Sequence, residues 1–83
     1  MWILYIIQCN DNSFYTGITT NIHRRLAEHS CGKGAKYTRG KGPFKLVYHE
    51  KYKTRGEASR REHKIKKFSH TKKLGLINKN HSK

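Results

Sequence analysis

Eighty-three residues make one small domain, near the lower limit at which a hydrophobic core keeps a chain folded unaided. Only 34% of the residues are hydrophobic, and 19 Lys and Arg face five acids, for a formal net charge of +14. That balance argues against a membrane protein, since the one strongly apolar run, MWILYII, is too short to span a bilayer. It favours a polyanionic partner, nucleic acid first, because Lys and Arg make most phosphate contacts.

The N-terminal stretch has neither the basic segment nor the small-residue cleavage site of a secretory leader. Trp2 to Gln8 is apolar and isoleucine-rich, which predicts a mostly buried strand. The NDNS turn at 10–13 suits left-handed backbone, and Phe14 to Ile18 returns as the second strand of a hairpin. Asn21 is a fitting N-cap for a helix running to about Ser30. CGKGAKYTRGKGP then reads as a mobile cationic loop, holding four of the seven glycines and the only proline. FKLVYHEKY, 44–52, alternates with Phe44, Leu46 and Tyr48 on one side, predicting a third strand. Thr54 and Glu57 form a T-x-x-E capping box for a helix to about Phe68. Ser69 or Thr71 caps a last helix through Ile77, and the rest, 79–83, is expected to be a disordered tail. The order ββαβαα describes an α+β domain over 1–78, with a small antiparallel sheet flanked by helices.

Cys9 and Cys31 have no metal-type spacing, and the pair reads as reduced thiols of a cytoplasmic protein. The six scattered histidines argue against a zinc site. Three polar features stand out. Arg25 and His29 lie one helical turn apart, bordering the apolar stripe of Ile22 and Leu26. They either face a shared groove, or Arg25 lies over the sheet edge and His29 on the surface. Glu62 falls on the same helix face as Ala58 and Ile65, where a carboxylate needs a cation or metal ion, or an internal salt bridge to Arg25 or a nearby Lys. Tyr5 and Tyr15, on adjacent strands, are opposite or diagonal neighbours whose hydroxyls need partners if buried.

Taken together, ILY at 3–5, YTG at 15–17, Arg25 ten residues after Tyr15, His29 one turn later and Glu62 in ASRRE resemble the GIY-YIG nuclease superfamily, specifically its small single-domain bacterial branch. The resemblance reaches about Ile77. The chain departs from the pattern at Ile3, at Thr16 and at Ile18, where many relatives carry a lysine; Asn78 is the loose match to a late asparagine. The resemblance implies metal-dependent phosphodiester hydrolysis with one Mg2+ or Mn2+ held by Glu62, whose remaining positions go to water and phosphate. It also implies that Arg25 grips the scissile phosphate; Tyr5 is then the choice for general base, Tyr15 positions the water or the phosphate, and the net charge, the metal and a proton-accepting His29 favour the phenolate.

Lys33, Lys36, Tyr37, Arg39, Lys41, Arg61 and Lys66 are expected to contact nucleic acid, DNA ahead of RNA, with little sequence specificity. The protein is expected to act as a monomer, with a protein partner as one source of specificity. Two other readings stand beside this one: a non-catalytic nucleic-acid-binding module on the same fold, and a ribosome-associated basic protein.

Overall fold

In a computed structural model, which describes residues 1–81, strand Trp2–Gln8 (β1) lies between Phe14–Thr19 (β2) and Lys45–Tyr52 (β3), antiparallel to both. Helices Ile22–Ser30 (α1), Arg55–Lys66 (α2) and His70–His81 (α3) complete the order ββαβαα. This is the α+β architecture that the periodicities predict. The last helix continues past the expected limit at Ile77, so residues 79–81 are helical; 82–83 lie outside the described residues.

Alternation along β1 divides the sheet into two faces. Leu4 and Ile6 face one way and join Phe14, Tyr48, Ile65 and Ile77 in the core under α2 and α3. Tyr5 faces the other way, toward α1. The hairpin register pairs Tyr5 with Gly17 and Ile7 with Tyr15, so the tyrosines are diagonal neighbours. Asn12, with a φ of 67°, supplies the left-handed turn residue, and the Cys9 amide closes the turn on the Ser13 carbonyl at 2.8 Å.

Local chemistry sets the helix starts. Asn21 accepts from the Arg24 amide, and Thr54 and Glu57 make both bonds of the capping box. Ser69 Oγ accepts from the Lys72 amide at 3.2 Å, making it the serine that caps α3. The third strand departs from simple alternation. An irregularity opposite Ile6 and Ile7 inserts an extra residue, so Val47 and Tyr48 are both buried while Leu46 is 36% exposed.

Between α1 and β3 the glycine-rich segment makes one 3-10 turn at Lys36–Thr38. It folds back over the end of α1 and anchors there through Thr38, which is 1% exposed. The loop is therefore less free than its composition suggests.

Candidate active site

Tyr5 stands in the middle of the central strand and is fully buried. Its partner across the hairpin has no side chain, and a Cβ at Gly17 would lie 2.6 Å from the Tyr5 hydroxyl and 3.1 Å from Tyr15 Cε2. The glycine of YTG thus makes room for the first tyrosine. The two phenol rings lie 6.4 Å apart, centre to centre. His29, from the last turn of α1, presents its ring at steep angles to both, 6.0 Å from Tyr5 and 5.4 Å from Tyr15. It is the most buried residue of α1, not a surface histidine.

The hydrogen-bond network has one consistent assignment of protons. Thr38 Oγ1 donates to the Ala35 carbonyl at 2.8 Å and therefore accepts from His29 Nδ1, also at 2.8 Å. With its proton on Nδ1, the imidazole accepts the Tyr5 O–H at Nε2, 3.0 Å away. The Tyr5 oxygen in turn accepts from Arg25 Nε at 3.4 Å. Protons thus point one way along the chain Arg25, Tyr5, His29, Thr38.

Burial pushes the Tyr5 phenol up to about 12, although the hydrogen bond and charge of Arg25 pull it down. Burial, reinforced by the charge of Arg25, holds His29 below its ordinary value of 6.5, so the ring is a neutral acceptor at pH 7. Without a metal ion the surroundings therefore do not favour the Tyr5 phenolate: desolvation outweighs the neighbouring cation.

Glu62 approaches from α2. Its side chain is 17% exposed and its carboxylate lies 3.3 Å from Lys66 Nζ, which itself sits 6.0 Å from the centre of the Tyr15 ring. The charge of Glu62 also contributes to raising the Tyr5 phenol. Carboxylate and phenols therefore occupy one region, and the cation that a half-buried Glu62 requires is Lys66.

The basic residues divide. Lys33, Lys36 and Arg39 are exposed, whereas Lys41 pairs with Asp11 at 3.4 Å and lies 3.8 Å over the Tyr37 ring. Arg61 is engaged elsewhere: its guanidinium makes a two-pronged contact with Glu50, 3.1 Å at the closest. Asn78 is exposed on α3 and takes no part in the network around Tyr5 and His29.

Four contributors were given no role in the sequence reading. Glu28 holds Arg25 Nη1 at 3.0 Å, Thr38 orients His29, and Gly17 gives space to Tyr5. Gly34 lets the loop cross His29, since a Cβ there would sit 2.2 Å from Nδ1. The spacing of Glu28 from Arg25, i to i+3 on one helix, and the place of Gly17 in YTG carried a signal in the sequence; Thr38 and Gly34 carried none.

The family model for the GIY-YIG catalytic domain matches residues 1–75. The chain belongs to the GIY-YIG family. GIY-YIG domains are nuclease domains, so the general chemistry is endonucleolytic and the substrate class is nucleic acid. The chain is 53% identical over 74 residues to a UPF0213 protein of Staphylococcus haemolyticus, covering 89% of this chain and 90% of the relative. A UPF0213 protein of Bacillus halodurans, solved by NMR, is 47% identical with a TM-score of 0.61, covering 94% of this chain and 84% of that one. A protein of E. faecalis, also solved by NMR, is 40% identical with a TM-score of 0.66, covering 98% and 86%. In this GIY-YIG domain the two signatures are the two halves of one hairpin, and the glycine of the second is the seat of the first tyrosine.

Proposed function

We propose that this protein is a metal-dependent endonuclease that hydrolyses DNA phosphodiesters with little sequence preference. The observation that carries the reading is the meeting of Tyr5, Tyr15, Arg25, His29 and Glu62, from four different elements, in one half-buried region. The exposed cations of the loop and of α2 suit phosphate contacts, which position a substrate without reading bases.

Among the described residues no three His, Cys, Asp or Glu side chains gather around a metal position. A lone Glu62 carboxylate fits an ion such as Mg2+, which keeps most of its waters. Bound there, the ion would supply Lewis-acid stabilisation of the departing oxygen.

The protein's own groups do the rest. Arg25 turns from Tyr5 to the phosphate, where its fork of donors meets charge developing on the phosphoryl oxygens. That movement frees a lone pair on the Tyr5 oxygen. As water attacks phosphorus, Tyr5 takes the water's proton and passes its own to His29 Nε2. A free phenolate, disfavoured by burial, is never needed. Tyr15, half-buried beside the pair, positions the water, and Thr38 keeps the imidazole aimed.

Glu62→Ala should lower cleavage of branched, flapped or single-stranded DNA in Mg2+ or Mn2+ by roughly a thousandfold, because metal stabilisation of the transition state amounts to several kcal/mol. Binding should be retained. Unchanged cutting by the variant would refute the scheme. One observation favours a second reading, a basic module that binds without cutting: Glu62 is already paired with Lys66. Absence of cleavage across the same substrate panel, with binding intact, would establish that alternative.

A further inference from the structure

Against the proposed site, and sharing Tyr15 and Lys66 with it, lies a concavity of about 350 Å3. Phe14, Tyr15 and Thr16 of β2 line it together with Tyr37, Lys66 and Lys73. The Tyr15 and Tyr37 planes are within 22° of parallel, with centres 6.0 Å apart. Stacked rings in full overlap lie closer, at about 3.5–4 Å, so Tyr37 extends past Tyr15 as a step. Tyr37 is 47% exposed. Lys41 covers one of its faces at 3.8 Å and is not among the residues lining the concavity. In the same wall, Thr16 is 2% exposed, and among the described residues its Oγ1 is the buried side-chain oxygen with no hydrogen-bond partner.

We infer that this shelf holds the base of an unpaired nucleotide next to the scissile phosphate, and that the preferred substrate is therefore single-stranded or flapped. The inference rests on the nuclease reading of the neighbouring site. An aromatic step offers a base its π-face, and two lysines at the rim suit the flanking phosphates. Every base has a π-face, so any base is served, in keeping with little sequence preference. A base within a duplex is stacked on both sides and cannot enter. Tyr37 also directly precedes Thr38, which holds His29, so a base on the shelf steadies the turn that aims the imidazole.

The test is binding in EDTA, where nothing is cut and failure cannot be confused with failure of the catalytic scheme. DNA and RNA single strands carrying 2-aminopurine at successive positions, and duplexes of the same sequence, are titrated with wild type, Tyr37→Ala and Tyr37→Trp. The 2-aminopurine emission should be quenched at one position. Tyr37→Ala should weaken single-strand binding about tenfold, leave duplex binding unchanged and abolish the quenching, while Tyr37→Trp preserves all three. An abasic residue at the quenched position should cost wild type the same factor and cost Tyr37→Ala nothing more. Unaltered single-strand affinity in Tyr37→Ala, equal losses on single strand and duplex, or tolerance of an abasic residue at every position would each overturn the proposal. Unchanged thermal unfolding of Tyr37→Ala shows that the fold persists.

Discussion

Two absent side chains shape this site more than any charged one. Gly17 leaves the space that the Tyr5 hydroxyl occupies, and Gly34 leaves the space beside His29 Nδ1. Gly17→Ala should therefore overpack the hairpin and destabilise the protein by about 1–3 kcal/mol, seen as a lower urea midpoint with an unchanged slope. Thr38→Val removes the acceptor for the Nδ1 proton and should reduce cleavage about tenfold or more with binding retained, whereas Thr38→Ser should restore it. The pH dependence follows from His29, held below 6.5 by burial and by Arg25. Between that lowered value and 6.5 the unfolded chain binds a proton that the folded one refuses. Neutral His29 thus contributes stability that is complete above pH 6.5 and is lost as pH falls through the folded value. Cleavage should fall over the same acid range, with its midpoint below 6.5, in a profile of kcat/KM against pH. His29→Gln should remove that limb of the curve.

At the level of elements, β3 and α2 are tied through one carboxylate. Tyr48 and Tyr52 donate to Glu50, Tyr52 at 2.6 Å, and Arg61 holds both of its oxygens. Burial pushes the Glu50 carboxyl up, but the hydrogen bonds from Arg61, Tyr48 and Tyr52 together outweigh it and hold the group below 4.5. Its stabilising effect is present above pH 4.5 and lost as pH falls through the lowered value. Glu50→Gln should cost about 1–2 kcal/mol at pH 7 and shrink the acid-induced loss, measured by urea unfolding at several pH values. The element boundaries were legible because caps are local: Asn21, and Thr54 with Glu57, act within three residues of chain. The spacing of Tyr5, Tyr15, Arg25, His29 and Glu62 was legible for a similar reason, since each sits at a set phase of a strand or helix. What spacing hides is cross-element choice. Arg61 looks like any basic helix residue until β3 brings Glu50 against it, and Thr38 looks like loop filler until the turn reaches His29. The bulge that buries Val47 and exposes Leu46 arises from pairing with β1, which no alternation within β3 reveals.

Across the whole molecule, every acid already has a local task. Asp11, Glu28, Glu50 and Glu62 pair with Lys41, Arg25, Arg61 and Lys66, and Glu57 closes the capping box. The surplus of positive charge is therefore uncompensated over the loop and the outer side of α2, where Arg60, His63, Lys64 and Lys67 line a shallow basic hollow with Arg61. Affinity for DNA should fall about a thousandfold between about 50 and 200 mM salt if roughly six phosphates are contacted. Replacing Lys33, Lys36 and Arg39 together by Ala should lower the slope of log K against log salt by about 2–3, measured by fluorescence anisotropy. The two-faced middle strand adds a consequence for how such a protein can change. Reactive phenol and greasy ballast ride on neighbouring rungs of the same ladder, so a one-residue shift of β1 against β2 and β3 would turn the ladder over, drowning the phenol in oil and baring Leu4 and Ile6 to the cleft. Lineages of this chain are thus free to lengthen at their loops but not to drift by one step along β1.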